Sequence, residues 1–495
     1  MYGSIMNYGG TSMVSRRSII NRMLKTKNPM RRNKFLCALL CLLTGINLSA
    51  QEKKTVLTPE AVMELVRNNH PVAKQAALLV NRAAAELQSA RGAFDPALEM
   101  EASRKTFDGK NYYYYTNPEI QLPTAAAFTL RAGTENNGGD LLANETTRGR
   151  SSYLGVELPL GNGLLIDKRR AALQQAKILI NQSEQDRKNI LNNLLLDAYT
   201  DYWQWAGAYQ LYQIYSGFVE NAERRQNLVR NAFVNGDRSV MDTVESYSQL
   251  QLYRLQQTEA LQKLNNAAIS LSYFLWQNDT TPYNLPANLL PDTTRFMTQQ
   301  EIPVPEENIS SLLEQHPLLR SAQFKVNSME TEKKLKFQGL LPYVSLKANV
   351  LSKDYSFVKS WDAAYLQNNY KWGLGVQLPL FLRQGRGEYK KAQIKLKESQ
   401  LELTSKRWQL ENKIRYYQNE SNQLLQQWQL GNRLQENYRQ LLRNEELKFS
   451  QGESSLFLVN ARETKLLEML QKQTAVRIKY LTASYQLRWA GGLLQ

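Results

Sequence analysis

The chain contains two histidines, and each is followed by proline. One opens HPVAKQAALLVN (His70 to Asn81) and the other HPLLRSAQFKVN (His316 to Asn327). Histidine is the side chain best suited to moving protons near neutral pH. Acid–base or covalent chemistry would also need a nucleophile or a ligand cluster nearby in a motif, and neither histidine has a Ser, Cys or metal-ligand partner of that kind. Both cysteines, Cys37 and Cys41, lie within the first 50 residues. The glycines of GRGEYKK (Gly385 to Lys391) lack the spacing and the Lys-Ser/Thr ending of a phosphate loop. Paired carboxylates occur along helix-like stretches without a motif, and the 11 methionines form no metal-binding row. The expectation is no enzyme, no catalytic residue, no cofactor and no metal.

The charge pattern indicates export. Residues 1–50 hold eight Lys/Arg and no Asp/Glu, leaving 54 basic against 45 acidic residues in the remainder. That mild excess reads as a solvated surface and not as a nucleic-acid site. MRRNK (Met30 to Lys34) is a basic leader, FLCALLCLLTGI (Phe35 to Ile46) an apolar core of 12 residues, and LSA a small-residue cleavage site before Gln51. Met30 offers an alternative start. The apolar core is too short to span a bilayer as a helix, and no later apolar run reaches about 18 residues. An exported chain of this kind is soluble or a β-barrel.

The histidines mark a tandem duplication. At a constant offset of 246, His70, Pro71, Ala76, Val80, Asn81, Glu86 and Pro96 match His316, Pro317, Ala322, Val326, Asn327, Glu332 and Pro342. GVELPL (Gly155 to Leu160) recurs as GVQLPL (Gly375 to Leu380), and FVNGDRS (Phe233 to Ser239) as FSQGESS (Phe449 to Ser455). Three landmarks in the same order define one unit written twice. The histidines are therefore structural, each just before a proline at a helix start.

The elements follow from this grammar. Each unit opens with a helix, about 60–93 and 307–340. Alternating segments then read as two strands: ALEMEAS and SSYLGVEL in the first copy, YVSLKANVL and YKWGLGVQL in the second. The first copy carries 26 extra residues between its prolines, including Tyr112 to Tyr115, which fit an additional hairpin or longer strands. Those tyrosines suit either an aromatic girdle at a membrane interface or ordinary strand positions. Proline-free stretches follow. Leu191, Leu195, Ala198, Tyr202, Trp205, Tyr209 and Tyr212, and then Leu261, Leu264, Ala268, Leu271 and Leu275, keep heptad steps. The glycines of VNGDRS and SQGESS turn each stretch into a hairpin. The first arm (164–235) is about 110 Å long, and its return (240–276) is half that. The difference is made up by the short helix of the other repeat, stacked end to end. The domains expected are a signal peptide (1–50), a first repeat (51–276), an equatorial linker (277–305) rich in Pro, Asn and Thr, and a second repeat (306–495).

Two strands per copy give about four per chain, or a few more, and a membrane barrel needs at least about eight. Unpaired edges cannot face lipid, so several copies must share one barrel. Three chains of four strands give a 12-stranded barrel on a helical tunnel. From about residue 57 to 490, the duplication, the strand-to-helix step and the glycine turns together resemble the TolC-like outer-membrane efflux proteins. The resemblance implies a mainly α fold with a β membrane portion. It implies a homotrimer whose α-barrel runs through the periplasm into a shared 12-stranded β-barrel in outer-membrane lipid. It further implies docking to a periplasmic adaptor (membrane fusion) protein and an inner-membrane pump. The chain would be the passive duct of a tripartite efflux or type I secretion system, exporting small molecules or proteins. The alternatives are a periplasmic coiled-coil spacer without a lumen and a secreted enzyme.

By that resemblance, Gly236, Asp237, Arg238 and Ser239, with Gly452, Glu453, Ser454 and Ser455, form periplasmic tips that meet the adaptor. Pro159 and Pro379 mark the step from strand to long helix. Asp242 falls where the family has a gate aspartate, the alternative being a solvated helix-surface carboxylate. Ser454 replaces a gate arginine, and Leu458 and Ala461 stand where aspartates narrow the entrance.

Overall fold

The structure, a computed structural model, describes residues 55–278, 281–286, 288–298, 308–353 and 368–494. The expected export signal and part of the expected linker lie outside the described residues. The first repeat runs β1 (Thr55–Leu57), α1 (Pro59–Asn69), α2 (Pro71–Gly92), β2 (Ala97–Phe107), β3 (Lys110–Pro123), β4 (Thr129–Gly138), β5 (Gly149–Pro159), α3 (Lys168–Val234) and α4 (Val240–Ser272). The linker contributes β6 (Leu289–Pro291) and α5 (Thr293–Met297). The second repeat follows as α6 (Ile309–Gln315), α7 (Pro317–Gln338), β7 (Tyr343–Lys353), β8 (Tyr370–Gln377), α8 (Arg383–Ser450) and α9 (Leu456–Ala490).

The helices at 60–93 and 307–340 are each two helices, broken at the His-Pro step. Proline lacks the amide that a continuous helix would need there and disfavours helical geometry in the residue before it. The histidine takes up the amide next along. His70 Nδ1 accepts from the Val72 amide at 3.2 Å, and His316 Nδ1 accepts from the Leu318 amide at 3.1 Å. Each imidazole is therefore an N-cap, a ring nitrogen standing where a hydroxyl or carboxylate oxygen is usual, and it must be neutral to accept. Both are buried, and burial lowers both pKa values, that of His316 to about 4.

The long helices α3 (67 residues) and α8 (68 residues) extend about 100 Å each. Helix α3 packs against α2, α4, α7 and α9, whereas α8 packs against α7 and α9. The heptad seam of α3 is buried from Leu191 to Trp205 beneath β1, β6 and α5. Tyr202 ties that belt together: its hydroxyl donates to Leu57 O at 2.8 Å and accepts from the Asp292 amide at 3.1 Å.

The described sheet is antiparallel, in the order β2-β3-β4-β5-β7-β8. It has six strands where about four were expected, so twelve strands from three chains no longer follows. The 26 additional residues form the hairpin β3–β4, inserted between the two strands of the first repeat. An Asp108-Gly109 turn with both residues at positive φ joins β2 to β3. The sheet is open, with β2 and β8 as its edges. Of the four tyrosines, Tyr113 and Tyr115 stack at 4.7 Å, and Tyr114 covers Gly138.

Candidate functional site

The two glycine turns are built alike. Gly236 and Gly452 have φ of +84° and +82°, a region that only glycine occupies without strain. The Asp237 amide donates to Ala232 O at 2.9 Å and the Glu453 amide to Lys448 O at 2.9 Å, closing each long helix. The returning helices start on serine caps. Ser239 Oγ accepts from the Asp242 amide at 3.2 Å while Asp242 Oδ2 accepts from the Ser239 amide at 3.2 Å, a reciprocal capping box. Asp242 thus has a local helix-starting role. Ser455 caps through the Leu458 amide alone.

The structure brings the two tips together. The Arg238 guanidinium lies 4.3 Å from the centre of the Phe449 ring. Ser454 Oγ donates to Glu445 at 2.5 Å. Gly236, Asp237, Ser239, Gly452, Glu453 and Ser455 are exposed, and so are Val234, Met241 and Phe457 beside them. The tip is therefore a polar turn flanked by apolar side chains. Leu458 and Ala461 are exposed on α9.

Above the tips lies a network that the motif reading missed. Arg225 on α3 makes a two-pronged bond to Glu463 on α9, at 2.7 and 2.9 Å. Tyr253 on α4 donates to Glu463 at 3.0 Å, Arg225 also donates to Asn460 at 3.1 Å, and Asn460 donates to Glu245 at 2.9 Å. Glu463 is 2% exposed. The network joins the first hairpin to the second. Its signal was present in the sequence. Leu456, Val459, Glu463, Leu466, Leu470, Gln473, Arg477, Tyr480, Ser484 and Leu487 alternate steps of 3 and 4, so Glu463 and Arg477 interrupt an apolar seam.

Arg477 serves the mid-height belt. It donates to Phe296 O, Arg295 O and Thr298 O at 2.8, 3.1 and 2.7 Å and lies 4.3 Å from the Trp428 ring centre. These are backbone carbonyls at the end of α5, so the cation is held by dipoles. Burial lowers its pKa to about 10.

Pro159 and Pro379 border the same cleft, of about 880 Å³, where sheet gives way to helix. After Pro159 the chain is sealed: the Leu160 amide donates to Val344 O at 2.7 Å, and the Asn162 amide donates to Pro342 O at 2.8 Å. A Cβ on Gly161 would stand 2.1 Å from Pro342 O, so only glycine fits. After Pro379 the equivalent Leu380 and Phe381 are exposed, and Leu382 takes positive φ at the start of α8. Among the described residues no His/Cys/Asp/Glu group could hold a metal ion, and no helix is long and apolar enough to cross a membrane.

The polarity of the sheet completes the description. Two neighbouring rows on one face are apolar across the strands: Leu98, Ile120, Ala132, Leu154, Val350 and Tyr370, and then Leu122, Leu130, Val156, Ala348 and Trp372. The opposite face carries Glu99, Glu119, Arg131, Glu157 and Lys347. Arg131 grips Glu119 through two bonds of 2.8 Å and reaches Glu157 at 3.5 Å. Residues 308–493 match the family model described as outer membrane efflux protein. That match lies within the second repeat. Solved structures extend the likeness to most of the chain. The CmeC outer membrane channel of Campylobacter jejuni is 16% identical, with a TM-score of 0.61 over 88% of this chain and 85% of that one. The open-state MtrE outer membrane channel of Neisseria gonorrhoeae is 14% identical, with a TM-score of 0.62 over 88% of each chain. The outer-membrane channel OprN is 15% identical, with a TM-score of 0.62 over 88% of this chain and 89% of that one. No curated protein matches the sequence. The efflux-protein fold thus spans both repeats, and the TolC-like resemblance of the sequence holds at that level.

Proposed function

We propose that the chain is the outer-membrane channel component of a tripartite efflux or type I secretion system. It acts as a homotrimeric, passive conduit for small molecules or proteins, docked through its tips to a periplasmic adaptor protein and an inner-membrane pump. The observation that carries this reading is the described sheet: apolar on one face, charged on the other, unpaired at both edges, and continuous with helices about 100 Å long. A lumenless periplasmic spacer has no use for an apolar outer face.

Repeat equivalence supports several copies in one ring. Helix α3 lies between α2 and α7, whereas α8 has α7 on one side only and exposes Ile394, Leu401, Trp408, Tyr416, Leu430 and Leu441 at near-heptad spacing. The neighbours that α8 lacks are a second copy's α2 and α4. Covering such a seam is worth about 25 cal/mol for each Å² of apolar surface removed from water. A second copy's strand end would bond the backbone after Pro379 as Val344 O and Pro342 O bond the Leu160 and Asn162 amides within the chain.

Reconstitution into planar bilayers tests the duct. Discrete conductance steps are expected from a heat-sensitive oligomer in the outer-membrane fraction. A monomer in the soluble periplasm, or no conductance from a variant with its tips opened, overturns the reading. Export that survives both Gly236→Pro and Gly452→Pro would remove the tips from adaptor docking.

A further inference from the structure

The inserted hairpin β3–β4 departs from a sheet of two strands per repeat, and its side chains show where it belongs. Ile120, Leu122 and Leu130 fall in the same rows as Leu98, Leu154, Val156 and Val350, on one face. All of the large members of those rows except Leu154 are at least 38% exposed. Gln121 and Arg131 fall in one row with Asn349, and Thr129 in one with Glu157 and Lys347, on the other face. The hairpin's inner turn, 124–128, comes back level with the helix end of the sheet, since Pro123 pairs with Thr129 and Thr129 with Glu157. A hairpin standing clear of the membrane would have no reason to keep both polarity and level with its neighbours.

Resting on the channel reading above, we propose that β3 and β4 are part of the membrane wall, so that three copies of this six-stranded sheet close an 18-stranded barrel. Six is an even number, so β2 of one copy runs antiparallel to β8 of the next. Repeat equivalence also gives the register. Within the chain Val156 pairs with Ala348; offsets of 220 and 246 carry that pair to Val376 and Ala102 of neighbouring copies. Gly155 opposite Asn349 becomes Gly375 opposite Ser103. Strands about 4.8 Å apart and tilted by about 40° give a backbone diameter of about 36 Å for 18 strands, against about 24 Å for 12. A barrel of this size holds an aqueous lumen, which would put the narrowest part of the duct among the helices. The partner that fits each open sheet edge is a second copy of this chain.

The test uses the full chain, whose residues 51–495 contain no cysteine. Single variants Ile120→Cys, Leu130→Cys, Val156→Cys and Val350→Cys carry an environment-sensitive fluorophore in vesicles of brominated lipid. Equal quenching at all four positions is expected. Quenching at 156 and 350 without quenching at 120 and 130 puts the hairpin outside the wall and overturns the inference while leaving the channel reading intact. No quenching anywhere overturns both. In a second experiment, Ala102→Cys combined with Val376→Cys is expected to give a disulfide-closed trimer on non-reducing gels. A closed dimer, or trimers without the cross-link, overturns the 18-strand closure.

Discussion

Substitution of Arg225 by methionine removes the cation from a carboxylate that water does not reach. Glu463 is 2% exposed, and its two oxygens accept three bonds, two from Arg225 and one from Tyr253. Arg225→Met keeps most of the side-chain volume but leaves Glu463 with the Tyr253 hydroxyl alone. Breaking a buried ion pair on one side costs about 3–5 kcal/mol, whereas replacing both members with apolar groups is often neutral. Arg225→Met is therefore expected to cost about 3–5 kcal/mol in the closed state of the hairpin pair, and Arg225→Met/Glu463→Leu to recover most of it. The natural assay is hydrogen exchange on the detergent-solubilised protein, read in peptides from α4 and α9 near the tips. At about 1.4 kcal/mol per tenfold, protection should fall by about 100- to 4,000-fold in the single variant. A single variant that loses less than about tenfold, or a double variant that loses more than the single, would refute the reasoning. Either result would mean that water solvates Glu463 in the folded chain.

Other consequences are equally direct. The unfolded His316 imidazole protonates near 6.5 and the folded one only near 4. Its contribution is thus intact above pH 6.5 and falls as the pH drops toward 4, by about 3 kcal/mol in all; thermal melts of His316→Asn, which caps without titrating, should be flatter over that range. Gly236→Ala and Gly452→Ala meet open space and should cost about 1 kcal/mol each through positive φ alone, measured as a small drop in melting temperature with oligomers preserved. Arg477→Met abandons three carbonyls and should loosen the belt around α5, seen as faster limited proteolysis near residues 293–298 while the tips stay protected.

Much of this architecture was legible as pattern. The repeat offsets placed both glycine turns, both strand-to-helix prolines and the four long helices, because each landmark is a residue whose backbone requirement is local: a positive φ, a missing amide, an apolar stripe at helical period. The His-Pro step reads as a helix start, yet it also ends the preceding helix. Proline makes that end, and the histidine Nδ1 bond that caps the next helix is one that spacing alone does not display. Asp242 illustrates the converse: position by resemblance suggests a gate, but its carboxylate bonds to the backbone three residues earlier.

What the sequence determined by itself was periodicity, and with it the class of each element and the duplication. Which faces meet was decided only in three dimensions. Whether Glu463 is a solvated carboxylate or the buried partner of Arg225 depends on residues 238 positions apart. Whether Tyr112 to Tyr115 lengthen a strand or begin a new one depends on a pairing register. The physical reason is the same in both cases. Burial and strand pairing are relations between distant segments, and a charge or an edge has no fixed energy until its neighbours are in place.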